Sequence, residues 1–538
     1  MMRTKKNYKI LADCRGMYEQ EIVDIILENR GIKDVEHFLN PREDDLLPTM
    51  KYMTDAAKII ENGLDKDRRF GIFFDVDTDG VTAGAIMTRY LRNYTERVSS
   101  YINKGKAHGL IGQDIARFEN VDVLIIVDSL DKDTSVYEEL VKQGKQMIIL
   151  DHHKIETNYD GLVTLISSQR YYNNPCLSGA GVVWKFCKYL DEYFLNDYAD
   201  DLVDLAACGI LADVCDVSES STENRYIVNK GLDNLKNPAI KKILGSYEFN
   251  SKAVLFSVAP LINACCRIGR NESVMNLFLA DDNKEVLKYK KEVTECKDIQ
   301  SEEVDRVLPS LKEQLDSQNN ANVLYGVIDS EYGISGLLGN KCLELYNKPL
   351  FILMDKGENY FGSMRSVGYG DFMKLCNETG LAELHGHEEA SGIEIKKENF
   401  EKFINTVNKK LSNMEQTTSF TQNVDCLIGL EDLTRTLVDK VKAINKVSGE
   451  GFNPLIFKVV DIDEYGIGSF KQGKHLVITP SDNIQLIEWN TSANYEELED
   501  DAIMNTPLEV IGELDSGWFI KKFMLKVIIS DLKVGVAQ

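Results

Sequence analysis

Three carboxylates stand on alternate positions in GIFFDVDTDGVTAGAI, residues 71–86: Asp75, Asp77 and Asp79, with Gly80 behind them. Like charges this close raise one another's pKa unless something positive sits among them. A divalent ion would supply that charge. A calcium-binding loop of the helix–loop–helix kind opens the same way, but it needs a glutamate at its twelfth position and a helix in front. Counted from Asp75, the twelfth residue is Ile86, and RFGIFF reads as a short buried strand. Further candidate ligands lie downstream: Asp128 in VDSL, then Asp151, His152 and His153 in LDHH, and Asp213 in GILADV. Hard divalent ions take oxygen ligands, and an added imidazole favours manganese. Asp75, Asp77, Asp79, Asp128, His152 and Asp213 suffice for two ions if some carboxylates bridge. Two ions about 3.5–4 Å apart are a recurring solution for phosphoester hydrolysis. His153 could touch a phosphate oxygen, and Asp151 could orient its neighbours. Taken singly, each group has a plainer reading: a surface turn for Asp-His-His, a helix N-cap for Asp128 or Asp213.

The elements that must position these residues share one shape. RFGIFFDVD, VDVLIIVDSL and KQMIILDHH are apolar runs ending in aspartate, with helical patterns between them. Strand, helix, strand, helix, strand predicts an α/β fold with a parallel sheet covered on both faces. In such sheets ligands bind outside the carboxyl ends of the strands. Every candidate group on the three runs falls there. On these grounds a metal-dependent phosphoesterase stands beside a nucleotide-binding fold of another kind.

The chain divides by character. Residues 1–50 form a lead segment and 51–273 the parallel-sheet domain. Residues 274–318 are a charged, helix-prone connector, and 319–416 carry a second α/β pattern. Residues 417–538 are short β-type runs separated by turn residues, which predict a small all-β barrel or sandwich. Length alone suggests several domains.

The net charge of −24 argues against non-specific adhesion to DNA or to an anionic membrane. It leaves room for a nucleic-acid enzyme whose metal ions and local basic groove hold the phosphates. No apolar run reads as long enough to span a bilayer, and the basic N-terminus lacks the apolar core of a secretory signal. The 11 cysteines include no C-x-x-C pair, so a reducing cytoplasm with free thiols is expected.

DVDTDGVTA, VDSL, LDHH and GILADV resemble, in order, the four motifs of the DHH phosphoesterase superfamily. LSGAGVVWKF and PLINACCRIGR look like its RecJ branch. EYGISGLLGNKCLELYNKPLFIL, FGSMRS and HGHEEASG are similar to the DHH-associated domain of that branch. GEGFNPLIF followed by KHLVIT resembles its nucleic-acid-binding OB barrel. The resemblance implies a DHH domain joined by a long helix to a DHH-associated domain, with an OB-type barrel after them. It also implies an exonuclease that degrades single-stranded DNA from the 5′ end to mononucleotides, with two manganese or magnesium ions. The six residues above would be metal ligands, with Asp128 best placed to bridge. His153 would contact the scissile phosphate. Arg267 would hold a DNA phosphate, and Ser363, Arg365, Ser366 and His387 would line the substrate path. A role in DNA recombination or repair, a cytoplasmic location, a monomeric state and a single-strand-binding protein as partner follow from the same resemblance.

Other proteins of the superfamily hydrolyse short oligonucleotides or cyclic dinucleotides, and some relatives are catalytically silent scaffolds. Those two alternatives stay beside the exonuclease reading. The sequence departs from the family pattern at Phe74 and Val76, at His385-Gly386-His387, and at Leu261 in place of an arginine. Trp489, Trp518 and Phe519 could stack on bases, but aromatic residues in β runs are expected in the core. Lys521 and Lys522 would bind phosphate or form a solvated edge.

Overall fold

The computed structural model describes residues 7–104, 109–318, 320–414, 416, 421–470, 475–489, 506–519 and 522–534. It divides into two units. The larger is built from Tyr8–Asn263, Asn271–Lys290 and the chain from Asn423 onward; the smaller is built on Ala264–Arg270 and Lys291–Gln422.

In the larger unit, Phe70–Phe74 and Val123–Val127 are buried at every position. A strand apolar on both faces must be covered on both. These runs form a five-stranded sheet in the order Val98–Ile102, Phe70–Phe74, Val123–Val127, Gln146–Asp151, Thr164–Ser167, parallel throughout. On one face Phe73, Leu124, Ile126 and Ile149 pack with Phe118, Tyr137 and Leu140. Each such side chain contributes about 1.5–3 kcal/mol by leaving water. The helix Thr78–Leu91 covers the other face and is buried on nearly every side. Its Gly84 lies against the Phe74 ring, where no Cβ would fit. Asp77 starts the helix by accepting from Gly80 N at 2.9 Å. Helices Gly179–Phe194 and Val203–Ala212 pack against it.

The same unit contains a seven-stranded sheet in the order Cys426–Gly429, Phe457–Ile462, Leu508–Phe519, Lys522–Val534, Ile484–Glu488, His475–Ser481, Gly466–Phe470. The C-terminal β region is therefore present, and it also holds a helix, Arg435–Asn445, that the sequence reading passed over. Residues 1–50, read from sequence as a lead segment, supply part of its core. Ile22, Val23, Ile26, Leu27 and Phe38 cluster with Leu437, Val441, Phe457 and Val459. Arg30 donates through Nε and Nη2 to the two oxygens of Asp425, each at 2.7 Å. Arg225 donates to Phe38 O, Val217 O and Val447 O, and its guanidinium lies 3.4 Å from the centre of the Phe38 ring.

Two expectations are corrected here. Trp489 and Trp518 are not core residues: they are 49% and 74% exposed. Both sit at strand ends; among the described residues Trp489 packs on Phe470 and His475, and Trp518 on Phe523. Lys521 and the Phe519 side chain lie outside the described residues. The second concerns apolar length. One helical stretch, Ser251–Ile268, is long and apolar enough to cross a membrane by those two criteria, and 44% of it is buried. Val254, Val258 and Ile262 turn inward from it, as in a helix of a protein interior.

The smaller unit is a mixed five-stranded sheet in the order Glu383–Gly386, Ala390–Lys396, Asn359–Arg365, Leu350–Lys356, Leu324–Ile328. Only the last pair is parallel. One face packs on Leu338 and Cys342 of helix Ser335–Tyr346 and on Leu311 of the long helix Asn283–Asp316. The other packs on Phe403 and Val407 of helix Lys397–Leu411.

Candidate metal centre

Parallel register brings the acidic groups together. Phe74 is level with Val127, and Val127 with Leu150. The next residues, Asp75, Asp128 and Asp151, therefore leave the sheet side by side at its carboxyl edge. His152 follows and acts as the hub. Its Nε2 lies 3.1 Å from Asp128 Oδ1 and 3.8 Å from Asp79 Oδ2, and its Nδ1 lies 3.6 Å from Asp213 Oδ2. His153 Nδ1 donates to Asp151 Oδ1 at 2.9 Å and stands 3.7 Å from Asp128 Oδ1. Asp151 also accepts from His153 N at 2.6 Å and from Leu130 N at 2.9 Å. Two ligand groups result, Asp128 with His152 and His153, and Asp79 with His152 and Asp213. Within each, the ligand atoms lie no more than 4.8 Å apart. The residue common to both groups is His152.

Asp75 and Asp77 stand at the same edge. Asp75 is buried and accepts from Val76 N at 2.8 Å and Asn103 Nδ2 at 3.4 Å. Asp77 is engaged as a helix cap, and its charge acts on Asp79, Asp128 and His152. Neither Asp128 nor Asp213 is a helix N-cap. Asp128 has left-handed backbone at φ 51°, a region aspartate tolerates better than most residues, and Asp213 closes the C-terminus of Val203–Ala212.

The electrostatics follow from burial. Loss of water raises the pKa of Asp79, Asp128 and Asp213, and neighbouring carboxylates add to the rise. Burial also pushes Asp151 upward, but the charge and hydrogen bonds of His153 overcome it and hold Asp151 at about 2. Burial pulls His153 down, and Asp151 more than reverses that, to about 9. His152 is raised by Asp79, Asp151 and Asp213 against the same desolvation. Asp128 Oδ1 is buried and, although His152 Nε2 stands 3.1 Å away, receives no hydrogen bond of proper geometry among the described residues. A buried carboxylate oxygen without a donor is costly unless a cation completes it. The donor set and this oxygen fit divalent ions of the manganese or magnesium kind.

Sequence reasoning missed the residues that brace this cluster. Gly179 N and Ala180 N, at the start of Gly179–Phe194, donate to Asp79 Oδ2 at 2.6 Å and Oδ1 at 3.0 Å. A Cβ on Gly179 would stand 2.6 Å from Asp128 Cβ, and one on Gly209 would collide with Asp79 and Ala180. The signals in the sequence were the small residues in SGAGV and ACGIL, common in any close helix packing, and the resemblance carried by LSGAGVVWKF, which assigned these positions no role.

The remaining expected site residues belong to the smaller unit. Ser363 and Arg365 sit on one strand, and Ser363 Oγ is 2.9 Å from Ser335 Oγ. Arg365 donates to Asn340 Oδ1 at 2.5 Å. Its pKa is lowered by burial and then by the charge of Arg267. Lys297, unmarked in the sequence reading, is lowered by burial and by Arg267 and Lys341. Ser366 is buried, its Oγ without a partner in the structure. His387 is exposed, in a tight turn where it exchanges backbone hydrogen bonds with Ala390. Ala390 pairs with Arg365 across the sheet, so His387 lies at the same strand end.

Residues 69–210 match the DHH family, N-terminal domain, and the parallel sheet with its acidic carboxyl edge is the fold of that class. Across 98% of its length the chain is 27% identical to YorK, an SPbeta prophage-derived protein of Bacillus subtilis strain 168, and it covers 98% of that relative. It is 25% identical to the single-stranded-DNA-specific exonuclease RecJ of the same organism, over 98% of this chain and 70% of the relative. The fold matches a crystal structure of RecJ in complex with Mn2+ from Thermus thermophilus, with a TM-score of 0.77 and 22% identity, covering 100% of this chain and 81% of that one. Residues 69–210 thus carry a domain of the DHH family, and the chain is similar to RecJ-type proteins over nearly its whole length.

Proposed function

We propose that the chain is a metal-dependent exonuclease that releases mononucleotides from the 5′ end of single-stranded DNA. The observation that carries this is the gathering of Asp79, Asp128, His152 and Asp213 from four separate stretches onto one edge, with His153 beside Asp128. The names of the full-length relatives support the substrate class. Asp75, Asp77, Asp79, Asp128, His152 and Asp213 would hold two manganese or magnesium ions. When bound, such a pair supplies a water nucleophile active at neutral pH and neutralises charge on the phosphate. His153, protonated and held by Asp151, would donate to an oxygen of the scissile phosphate. Asp151 keeps that imidazole oriented and charged. Arg267, Ser363, Arg365, Ser366 and His387 would bind the strand, since guanidinium groups present a planar fork to phosphate.

The same reading takes the C-terminal sheet as an OB-type barrel for the downstream strand, after a DHH domain to about 273, a helical connector and a DHH-associated domain. It places a monomer in the cytoplasm, with a single-strand-binding protein as partner.

Asp128→Ala should abolish manganese-dependent loss of end-labelled single-stranded DNA while leaving the fold intact by circular dichroism. Unchanged digestion by that variant would remove this site from the reaction. Cleavage of dinucleotides with no attack on long strands would favour the short-substrate alternative.

A further inference from the structure

Two tyrosines in the larger unit hold left-handed backbone, Tyr52 at φ 70° and Tyr171 at φ 58°. Bulky residues rarely adopt that region, and where they do the surrounding structure imposes it, often at functional sites. These two are far apart in sequence, yet both place a ring beside one cation. Lys51 Nζ lies 4.7 Å from the centre of the Tyr52 ring and 4.4 Å from that of Tyr171. The Arg170 guanidinium is 5.5 Å from the Tyr171 ring and is anchored by two bonds to Asp160, at 2.9 and 2.8 Å. Even so, Tyr171 is 72% exposed.

The placement adds a second argument. The segment that carries Tyr171 leaves the strand Thr164–Ser167, whose last residue is level with Asp151. It then enters the helix whose first two N–H groups hold Asp79. Both ends of this segment are therefore fixed to the edge that bears the acidic cluster. An open aromatic ring and an adjacent lysine are the elements from which sequence-tolerant single-strand sites are made.

We propose that Lys51, Tyr52, Arg170 and Tyr171 form a binding site for one nucleotide of a single strand, with the base stacked on Tyr171 and its phosphate paired with Lys51. Asp160 already neutralises Arg170, so Lys51 is the phosphate partner and Arg170 fixes the ring. This rests on the reading that the substrate is a single-stranded nucleic acid.

The test is fluorescence anisotropy of the full-length protein with a labelled oligothymidylate, in EDTA so that no cleavage occurs. Tyr171→Ala should bind about tenfold more weakly, within the range of one lost base stack. Tyr171→Phe should bind as the parent does. Lys51→Ala should lower the slope of log affinity against log salt by about one. Manganese titration of Tyr171→Ala by calorimetry should match the parent, showing that the acidic cluster is undisturbed. Parent-like binding by Tyr171→Ala, or equal losses in Tyr171→Ala and Tyr171→Phe, would overturn this site alone. If the parent protein binds no strand, the substrate reading fails and this site fails with it.

Discussion

At the scale of the residue, the cluster depends as much on missing side chains as on ligands. Gly179 touches Asp128 with its Cα edge and holds Asp79 with its N–H, so one position braces a member of each ligand group. Gly179→Ala should weaken manganese binding about 10–100-fold, the usual cost of disturbing a group that orients a metal ligand. Calorimetric titration with manganese checks this, and parent-like affinity would refute it. A pH effect follows from His153. Its pKa in the fold, about 9, is above the ordinary imidazole value, so the folded protein holds that proton more tightly than the unfolded chain. The resulting stability is complete below about pH 6.5 and is lost as the pH rises towards 9. In EDTA the melting temperature should therefore fall between pH 6.5 and 9; a flat or rising profile would contradict the assignment. Saturating manganese should reverse the trend, because metal binding requires deprotonated ligands. The acidic cluster was legible in sequence because three buried apolar runs in succession end in aspartate, which parallel pairing must bring to one edge. The glycines were not, because a forbidden Cβ leaves no chemical signature, only smallness.

At the scale of the element, parallel pairing converts three separate sequence positions into one row. The strand-end aspartates were readable from sequence because the strands are continuous apolar runs, and such runs belong to covered parallel sheets. The helix Asn283–Asp316 was readable as a helix from its polar length, but the partners of its charges were not. Lys297 looked like one solvated cation among many, yet burial and the charges of Arg267 and Lys341 all press on it. Cations crowded this way are stabilised by an anion. Lys297→Ala should weaken binding of single strands uniformly across sequences and lower the salt slope by about one. Anisotropy titrations over a salt series measure both quantities, and an unchanged slope would show that Lys297 meets no phosphate. The helix Arg435–Asn445 was obscured for a different reason. It lies among short β-type runs, and neighbouring turn residues outweighed the period of Leu437, Val438, Val441 and Ile444.

At the scale of the whole molecule, the ends of the chain share one core. Nothing local in residues 7–40 announces this, since the partners of Ile22, Ile26 and Phe38 lie beyond residue 425 in sequence. Pairing across that distance is set by tertiary packing, which no window of sequence contains. Asp425→Ala would leave Arg30 without its carboxylate, a change that costs about 3–5 kcal/mol for a buried pair. Hydrogen exchange should speed up in Phe457–Ile462, which lies against this pair, and stay unchanged in Phe70–Phe74; uniform protection in both would show that the pair is dispensable.

This closure has a consequence during synthesis. The apolar face of Glu19–Asn29 emerges long before its cover, since Phe457 and Val459 are made more than four hundred residues later. At about 5–20 residues per second, that leaves it uncovered for roughly 20–80 s. A nascent chain stalled anywhere in the middle would present Ile22, Ile26 and Leu27 to whatever surrounds the ribosome, and only synthesis of the strands that carry Phe457 and its neighbours provides their lasting cover.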